Sequence, residues 1–328
     1  MVKHILVIGG TGFLGQRLVR ALHERGHAVR VLVRPSARSS VFKPLGVECV
    51  SGNVLDGASL RAALPAVTHV FHLAGRLFVP GVPDHAYEQL HVEGTRNLLT
   101  ACAERESPPV VVYCSTTGVL GPTGATPATE EAPLQPGNIY ERTKAAGEEL
   151  ALAIARRHSL RLSVARPALV YGPGDLHLLG WFRAIQRGYY FVVGRGDNLL
   201  HPIYVDDVAG GLLRCAEASA SGRIYHLAGA RAIPIRELAE AMAHVLARRL
   251  PRLHLPVSLA LVIARGLEAL PGIPPARLPL TRSRIAFMTQ SRAYCGERAR
   301  RELNFVPQVD LETGLCRTVA WYRAQGLL

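Results

Sequence analysis

The chain begins with a short apolar run, Ile5 to Ile8, that leads directly into Gly9-Gly10-Thr11-Gly12-Phe13-Leu14-Gly15. Leu14, Leu18, Ala21 and Leu22 then recur at the spacing of one helix face, and Gly26 stops the pattern. A strand, a glycine loop and a helix in that order constrain the fold more than any other stretch. Glycines at 9, 12 and 15 let the backbone turn tightly, approach a ligand closely and pack the helix on the sheet. The free N–H groups at the helix start face an anion above the loop, and the pyrophosphate of a dinucleotide fits that geometry. Gly9, Thr11, Gly12, Phe13, Leu14 and Gly15 are therefore read as cofactor-binding.

The alternation continues. Short β-rich runs lie at 29–33, 47–50, 70–73, 110–114 and 162–165, with helical patterns over 59–63, 87–105 and 140–158. Largely apolar strands alternating with helices predict an α/β chain with a doubly wound parallel sheet covered on both faces. After Tyr171 the pattern changes at Gly172-Pro173-Gly174, and the remainder mixes helices with Pro-rich stretches, notably from Pro251 to Pro279. The expected organisation is a Rossmann-type cofactor domain over 1–172, to which 201–228 returns, and a smaller substrate-binding region over 173–328.

Composition excludes several classes. No apolar run reaches the roughly 18–20 residues of a membrane span, and the N-terminus shows no cleavable apolar segment. The six cysteines are widely separated, without metal-ligand spacing, so they are read as thiols of a reducing cytoplasm and no metal site is expected. The net charge of +13 is scattered and lacks any nucleic-acid-binding pattern. Nucleic acid is therefore not an expected partner. Peripheral contact with an anionic membrane, through the basic surface and the apolar 253–280 stretch, is left open. So is a homodimer.

The end of the second strand reads the adenosine ribose in such folds, and an acidic residue there repels a 2′-phosphate. Here the sequence is Val33-Arg34-Pro35-Ser36-Ala37-Arg38. Arg34 can pair with a phosphate, with Ser36 or Arg38 assisting. NADP(H) is the expected cofactor and NAD(H) the alternative.

Tyr140-Glu141-Arg142-Thr143-Lys144 opens a predicted helix, and the four-residue spacing puts Tyr140 and Lys144 on one face. A phenol near pKa 10 is a poor acid/base at neutral pH. A neighbouring ammonium stabilises the phenolate and draws the pKa toward the working range. With ten tyrosines and three lysines in 328 residues, fewer than one such spacing is expected by chance. Upstream, the strand over 110–114 ends in Ser115-Thr116-Thr117, placing hydroxyls where open α/β sheets build their sites.

Taken in order, these pieces resemble the extended short-chain dehydrogenase/reductase superfamily over essentially the full chain. They are the Gly9–Gly15 loop, His72-Leu73-Ala74-Gly75, Gly94-Thr95-Arg96-Asn97, Ser115-Thr116-Thr117, Tyr140-x-x-x-Lys144 and Arg166-Pro167. The resemblance implies that Thr116 fills the catalytic Ser/Thr position beside Tyr140 and Lys144. It implies too that Leu73, Ala74 and Gly75 line the cofactor, that Asn53 and Val54 lie near its adenine, and that Pro167 to Val170 back the nicotinamide. Within the superfamily the chain is most similar to the 3β-hydroxysteroid dehydrogenase-like branch, which includes 2-alkyl-3-oxoalkanoate reductases. The carrying stretches are 166–175, Gly194-Arg195-Gly196-Asp197-Asn198 and Tyr204-Val205-Asp206-Asp207-Val208.

Two positions depart from the family pattern. Asn53 replaces the usual aspartate but keeps an acceptor and a donor for adenine. His91 replaces the usual asparagine, and a structural hydrogen-bonding role is expected for it, a proton relay being the alternative.

The resemblance implies ketone/alcohol interconversion, and the apolar, Pro-rich stretch from Leu253 to Leu280 points to a lipophilic substrate, steroid-like or 3-oxoacyl-like. Nucleotide-sugar epimerases and dehydratases share the core and form the second reading. Against it, Thr117-Gly118 stand where dehydratases carry an Asp-Glu pair after the threonine, Leu169 where an asparagine contacts the nucleotide, and Leu200 where an arginine precedes the Tyr-Val-Asp segment. A third reading is a non-catalytic NADP-binding regulatory or structural protein. Such proteins typically lose the Tyr-Lys pair, and this chain retains it.

Overall fold

The computed structural model describes residues 2–36, 40–124, 126–218, 221–251, 254–270, 278 and 280–328. Its centre is a seven-stranded sheet in which every pairing is parallel. Six strands are β1 (His4–Ile8), β2 (Ala28–Val33), β3 (Glu48–Ser51), β4 (His69–His72), β5 (Val110–Cys114) and β6 (Leu162–Pro167). The strand Arg223–Leu227 completes the sheet, whose spatial order is Arg223–Leu227, β6, β5, β4, β1, β2, β3. The direction of winding reverses between β1 and β4. A crevice therefore opens beyond the carboxyl ends of these two neighbours, the usual ligand site of such sheets.

The apolar runs are continuous because both sheet faces are covered. Ile5, Leu6, Val7 and Ile8 are all buried. One face carries the helices Phe13–Glu24, Val205–Glu217 and Glu297–Leu303 around Leu18, Leu22, Val208, Leu212 and Phe305. The other carries Gly57–Ala63, Gly94–Ala103 and Ile139–Arg157 around Leu60, Leu98, Leu99 and Ala151. A further core joins the helices Leu179–Gln186, Ile235–Val245 and Leu311–Ala324 through Phe182, Leu238, Met242, Leu315 and Tyr322.

Most element ends lie within a residue or two of the sequence expectation. The helix expected over 87–105 differs. It is built as Asp84–Glu88, a π-helical turn Gln89–Glu93 and Gly94–Ala103. The widened turn carries His91 into the interior, and the His91 carbonyl accepts the Thr95 hydroxyl at 2.6 Å. The helix Ile139–Arg157 presses on the same carbonyl, so closely that a Cβ on Gly147 would stand 2.4 Å from the oxygen. Such π turns concentrate at functional sites. Among the described residues, no helix is long and apolar enough to cross a membrane.

Candidate active site

The glycine loop leaves β1 and presses against the end of β4. Gly9 has φ +83°, and a Cβ there would lie 2.7 Å from the Ala74 nitrogen and the Leu73 carbonyl carbon. Leu73 is itself tied to β1, its N–H donating to the Ile8 carbonyl at 2.8 Å. Gly12 caps the first helix without any side-chain bond, and the first turn holds no acidic residue. The first intrahelical bond runs from the Gln16 N–H to the Gly12 carbonyl at 3.0 Å, so the N–H groups of Phe13, Leu14 and Gly15 stand ahead of it. The Gln16 carboxamide donates to the Thr11 carbonyl at 2.9 Å and holds the loop closed. Donors with no competing carboxylate or cap make an anion receptor, and these residues fit a dinucleotide pyrophosphate. Pro173 and Gly174 lie over the same helix start. The Pro173 carbonyl accepts from Arg17 at 3.3 Å, and the Phe13 ring borders Gly174.

Arg34 follows β2 directly, exposed and without a hydrogen bond or ion pair among the described residues. Ser36 is exposed beyond it, whereas Arg38 lies outside the described residues. Asn53 is exposed, and its carboxamide oxygen accepts from the Leu55 N–H at 3.1 Å. That oxygen thus serves the turn of its own chain, and the NH2 group is the donor left to a ligand. Val54 is buried beneath the turn.

The helix Ile139–Arg157 is fixed at its start by reciprocal caps. Asn138 accepts from the Glu141 N–H at 3.0 Å, and the Glu141 carboxylate accepts from the Gly137 N–H at 2.7 Å. The same carboxylate pairs with Arg292 at 3.0 Å, latching the turn that carries Tyr140 to the C-terminal region. One turn on, Lys144 is buried, donates to the Cys114 carbonyl at 2.6 Å and lies 4.5 Å above the Tyr113 ring. A further turn on, Glu148 takes the Arg166 Nε on both oxygens at 3.1 Å, with both side chains buried. Glu148 is thus hydrogen-bonded to Arg166 and acts on Lys144 only through space.

Thr116 caps the short turn after β5, its hydroxyl oxygen accepting from the Gly118 N–H at 3.1 Å. Its O–H proton is left to donate elsewhere. Burial pushes the Tyr140 pKa up. The Lys144 ammonium opposes that rise most strongly, and a side-chain hydrogen bond with Thr116 opposes it next. Burial pushes the Lys144 pKa down, and the neighbouring Cys114 and Tyr140 oppose that shift. Pro167 ends β6, and its carbonyl accepts from the Thr117 hydroxyl at 3.3 Å. Val170 follows in a short strand that pairs with Ile203. Lys144 is thus tied to the end of β5, Thr117 ties that end to Pro167, and His91 ties Tyr140 to the loop after Gly75.

His91 is engaged at both nitrogens. Nε2 accepts from the Arg76 N–H at 3.1 Å, which leaves the proton on Nδ1, 2.8 Å from the Thr143 hydroxyl. Thr143 in turn donates to the Ile139 carbonyl at 2.8 Å. Burial, with Lys144 adding to it, pushes the His91 pKa down to about 2. This neutral ring ties the loop after Gly75 to the helix of Tyr140, and its edge meets the Tyr140 ring at 5.8 Å between centroids. Sequence reading did not pick out Thr143, Glu141, Arg292 or Glu148. The one local signal was the continuation of the Tyr140, Lys144 spacing to Glu148. Among the described residues, no group of three or more His, Cys, Asp or Glu side chains is placed to hold a metal ion.

A model of the NAD dependent epimerase/dehydratase family matches residues 5–228. The 2-alkyl-3-oxoalkanoate reductase of Stenotrophomonas maltophilia is 32% identical over 333 residues, covering 96% of this chain and 98% of that one. UDP-glucuronate 4-epimerase 1 of Arabidopsis thaliana is 29% identical over 352 residues, covering 97% of this chain and 76% of its own. Among solved structures, that of gox2253 superposes with a TM-score of 0.84 at 29% identity, covering 99% of both chains.

Proposed function

The chain belongs to the NAD dependent epimerase/dehydratase family of extended short-chain dehydrogenases and is an NAD(P)-dependent enzyme; within that family we propose that it uses NADP(H) to interconvert a ketone and a secondary alcohol on a lipophilic substrate, steroid-like or 3-oxoacyl-like. The observation that carries the substrate class is Leu200. It stands where sugar-nucleotide enzymes of the family present an arginine, and here it is buried and paired with Ile233. Leu169 stands where such enzymes often present an asparagine to the nucleotide, and Thr117-Gly118 stand where dehydratases carry an Asp-Glu pair. With none of the three, a sugar diphosphate has little to bind it, whereas an apolar substrate suffers no loss.

In this reading Gly9, Thr11, Gly12, Phe13, Leu14 and Gly15 hold the pyrophosphate. Leu73, Ala74, Gly75, Pro167 and Val170 flank the nicotinamide, Asn53 and Val54 meet the adenine, and Arg34 takes the 2′-phosphate. The bound nicotinamide supplies or accepts the hydride. Thr116 donates a hydrogen bond to the substrate oxygen. Tyr140 gives that oxygen its proton in reduction and takes it back in oxidation, while the Lys144 ammonium stabilises the phenolate. Residues 1–172 with 201–228 form the cofactor half, and the rest of 173–328 shapes the substrate side.

The test is a screen of NADPH oxidation over lipophilic ketones, repeated with NADH, alongside epimerisation assays on sugar nucleotides. Turnover of a lipophilic ketone with NADPH supports the reading. Epimerisation of a UDP-sugar with no net cofactor consumption, the activity named for the plant relative, would replace it.

A further inference from the structure

The helix Val257–Glu268 is amphipathic in the wrong sense for a surface helix. Ala260 and Ala264 face the core, whereas Val257, Leu259, Val262 and Ile263 face outward, Val262 being 64% exposed. At about 100° per residue, Leu259, Val262, Ile263 and Gly266 share one side of the helix, and no charge interrupts it. A helix on a protein in water normally turns its polar side outward. Leu270, just beyond its end, is also exposed.

A second apolar strip lies alongside. Leu77, Phe78 and Val79 are exposed, Leu77 by 54%. Phe78 and Pro80 share a cavity of about 330 Å³ with Glu268, Thr281 and Arg282, so the loop and the helix end border one opening. The loop continues directly from Leu73-Ala74-Gly75 at the mouth of the crevice.

Charge decides what covers this surface. Among the described residues of 246–292, Arg248, Arg249 and Arg265 are exposed, Arg292 is taken up by Glu141, and the single acidic residue, Glu268, is paired with Arg282 at 2.6 Å. An exposed apolar patch of this kind marks a protein interface or a membrane contact. A symmetric contact between two copies would bring the two arginine-rich segments together and repel. An anionic bilayer satisfies both features, with apolar side chains entering the headgroup boundary and arginines over the phosphates. The geometry points to the Val257–Glu268 helix and the 77–80 loop as the surface by which this protein docks on an anionic phospholipid bilayer, with the crevice mouth toward the lipid. This surface does not depend on the substrate assignment.

Flotation of the full chain with phosphatidylcholine vesicles, with or without phosphatidylglycerol, tests it. The protein is expected to float with the anionic vesicles, more at low salt than at high, and not with phosphatidylcholine alone. The double variant Val262→Glu, Ile263→Glu is expected to lower the vesicle partition by about tenfold or more, while its thermal unfolding midpoint stays unchanged because both side chains are exposed. Three results overturn the proposal. One is no flotation with anionic vesicles at low salt. Another is undiminished flotation of the double variant, which leaves the arginines alone as the cause. The third is a light-scattering dimer that the double variant converts to monomer, which assigns the patch to a second copy.

Discussion

The Lys144 ammonium donates to the carbonyl of Cys114, the last residue of β5, across 2.6 Å. This bond fastens the helix Ile139–Arg157 to the strand end that leads into Thr116, and it fixes the ammonium that opposes the rise of the Tyr140 pKa. Lys144→Met removes both effects. In alcohol oxidation the phenol must be ionised, so the rate rises with pH toward the Tyr140 pKa. Burial raises that pKa and Lys144 opposes the rise. Without the ammonium the rising limb of kcat/KM moves to more alkaline pH, and kcat at neutral pH falls. A pH–rate profile of the variant checks the direction, and an unmoved limb contradicts it.

Tyr140→Phe removes the proton donor and leaves the glycine loop intact. Turnover is expected to fall by about 10²–10⁴-fold, the usual contribution of a positioned acid/base. The dissociation constant for NADPH, read by fluorescence titration, is expected to change little. Unchanged turnover on a good substrate reopens the non-catalytic reading.

Arg34→Asp puts a carboxylate in place of the proposed 2′-phosphate ligand. The predicted result is a switch of preference from NADPH toward NADH, seen as opposite changes in the two KM values. A variant that still favours NADPH removes Arg34 from the 2′-phosphate site.

Acid stability follows from three buried histidines. Burial lowers His72 to about 3, His91 to about 2 and His226 to about 3. Each stays neutral in the folded chain, whereas in the unfolded chain it takes up a proton near pH 6.5. Their contribution to stability is therefore complete above about pH 6.5 and is lost progressively as pH falls below it. The loss is about 1.4 kcal/mol per pH unit for each group. Urea midpoints between pH 7 and pH 5 should drop, and His91→Asn should make that drop shallower. A flat profile over that range contradicts the assignment.

Much of this site is legible in sequence because its pieces are local. The strand, Gly9–Gly15 loop and helix are contiguous, and Tyr140 and Lys144 are one turn apart. What is not legible depends on contacts between distant segments. Glu148 meets Arg166 eighteen residues on, and Lys144 meets Cys114 thirty residues back. Glu141 reaches Arg292 near the other end of the chain. The π turn at Gln89–Glu93 escapes periodicity for the same reason. The apolar spacing over 87–105 is compatible with one continuous helix, and the widening accompanies the burial of His91 between Arg76 and Thr143 and the close approach of Gly147.

Transfer of label from C4-deuterated NADPH tests the central claim most directly. The protein is incubated with the labelled cofactor and a lipophilic ketone, and the alcohol product is analysed by mass spectrometry. One deuterium is expected on the carbinol carbon, formed at a rate that Tyr140→Phe lowers by about 10²–10⁴-fold. An enzyme that returns the hydride to the molecule it came from exports no label. Finding none across ketones, while a UDP-sugar is epimerised, would contradict the account.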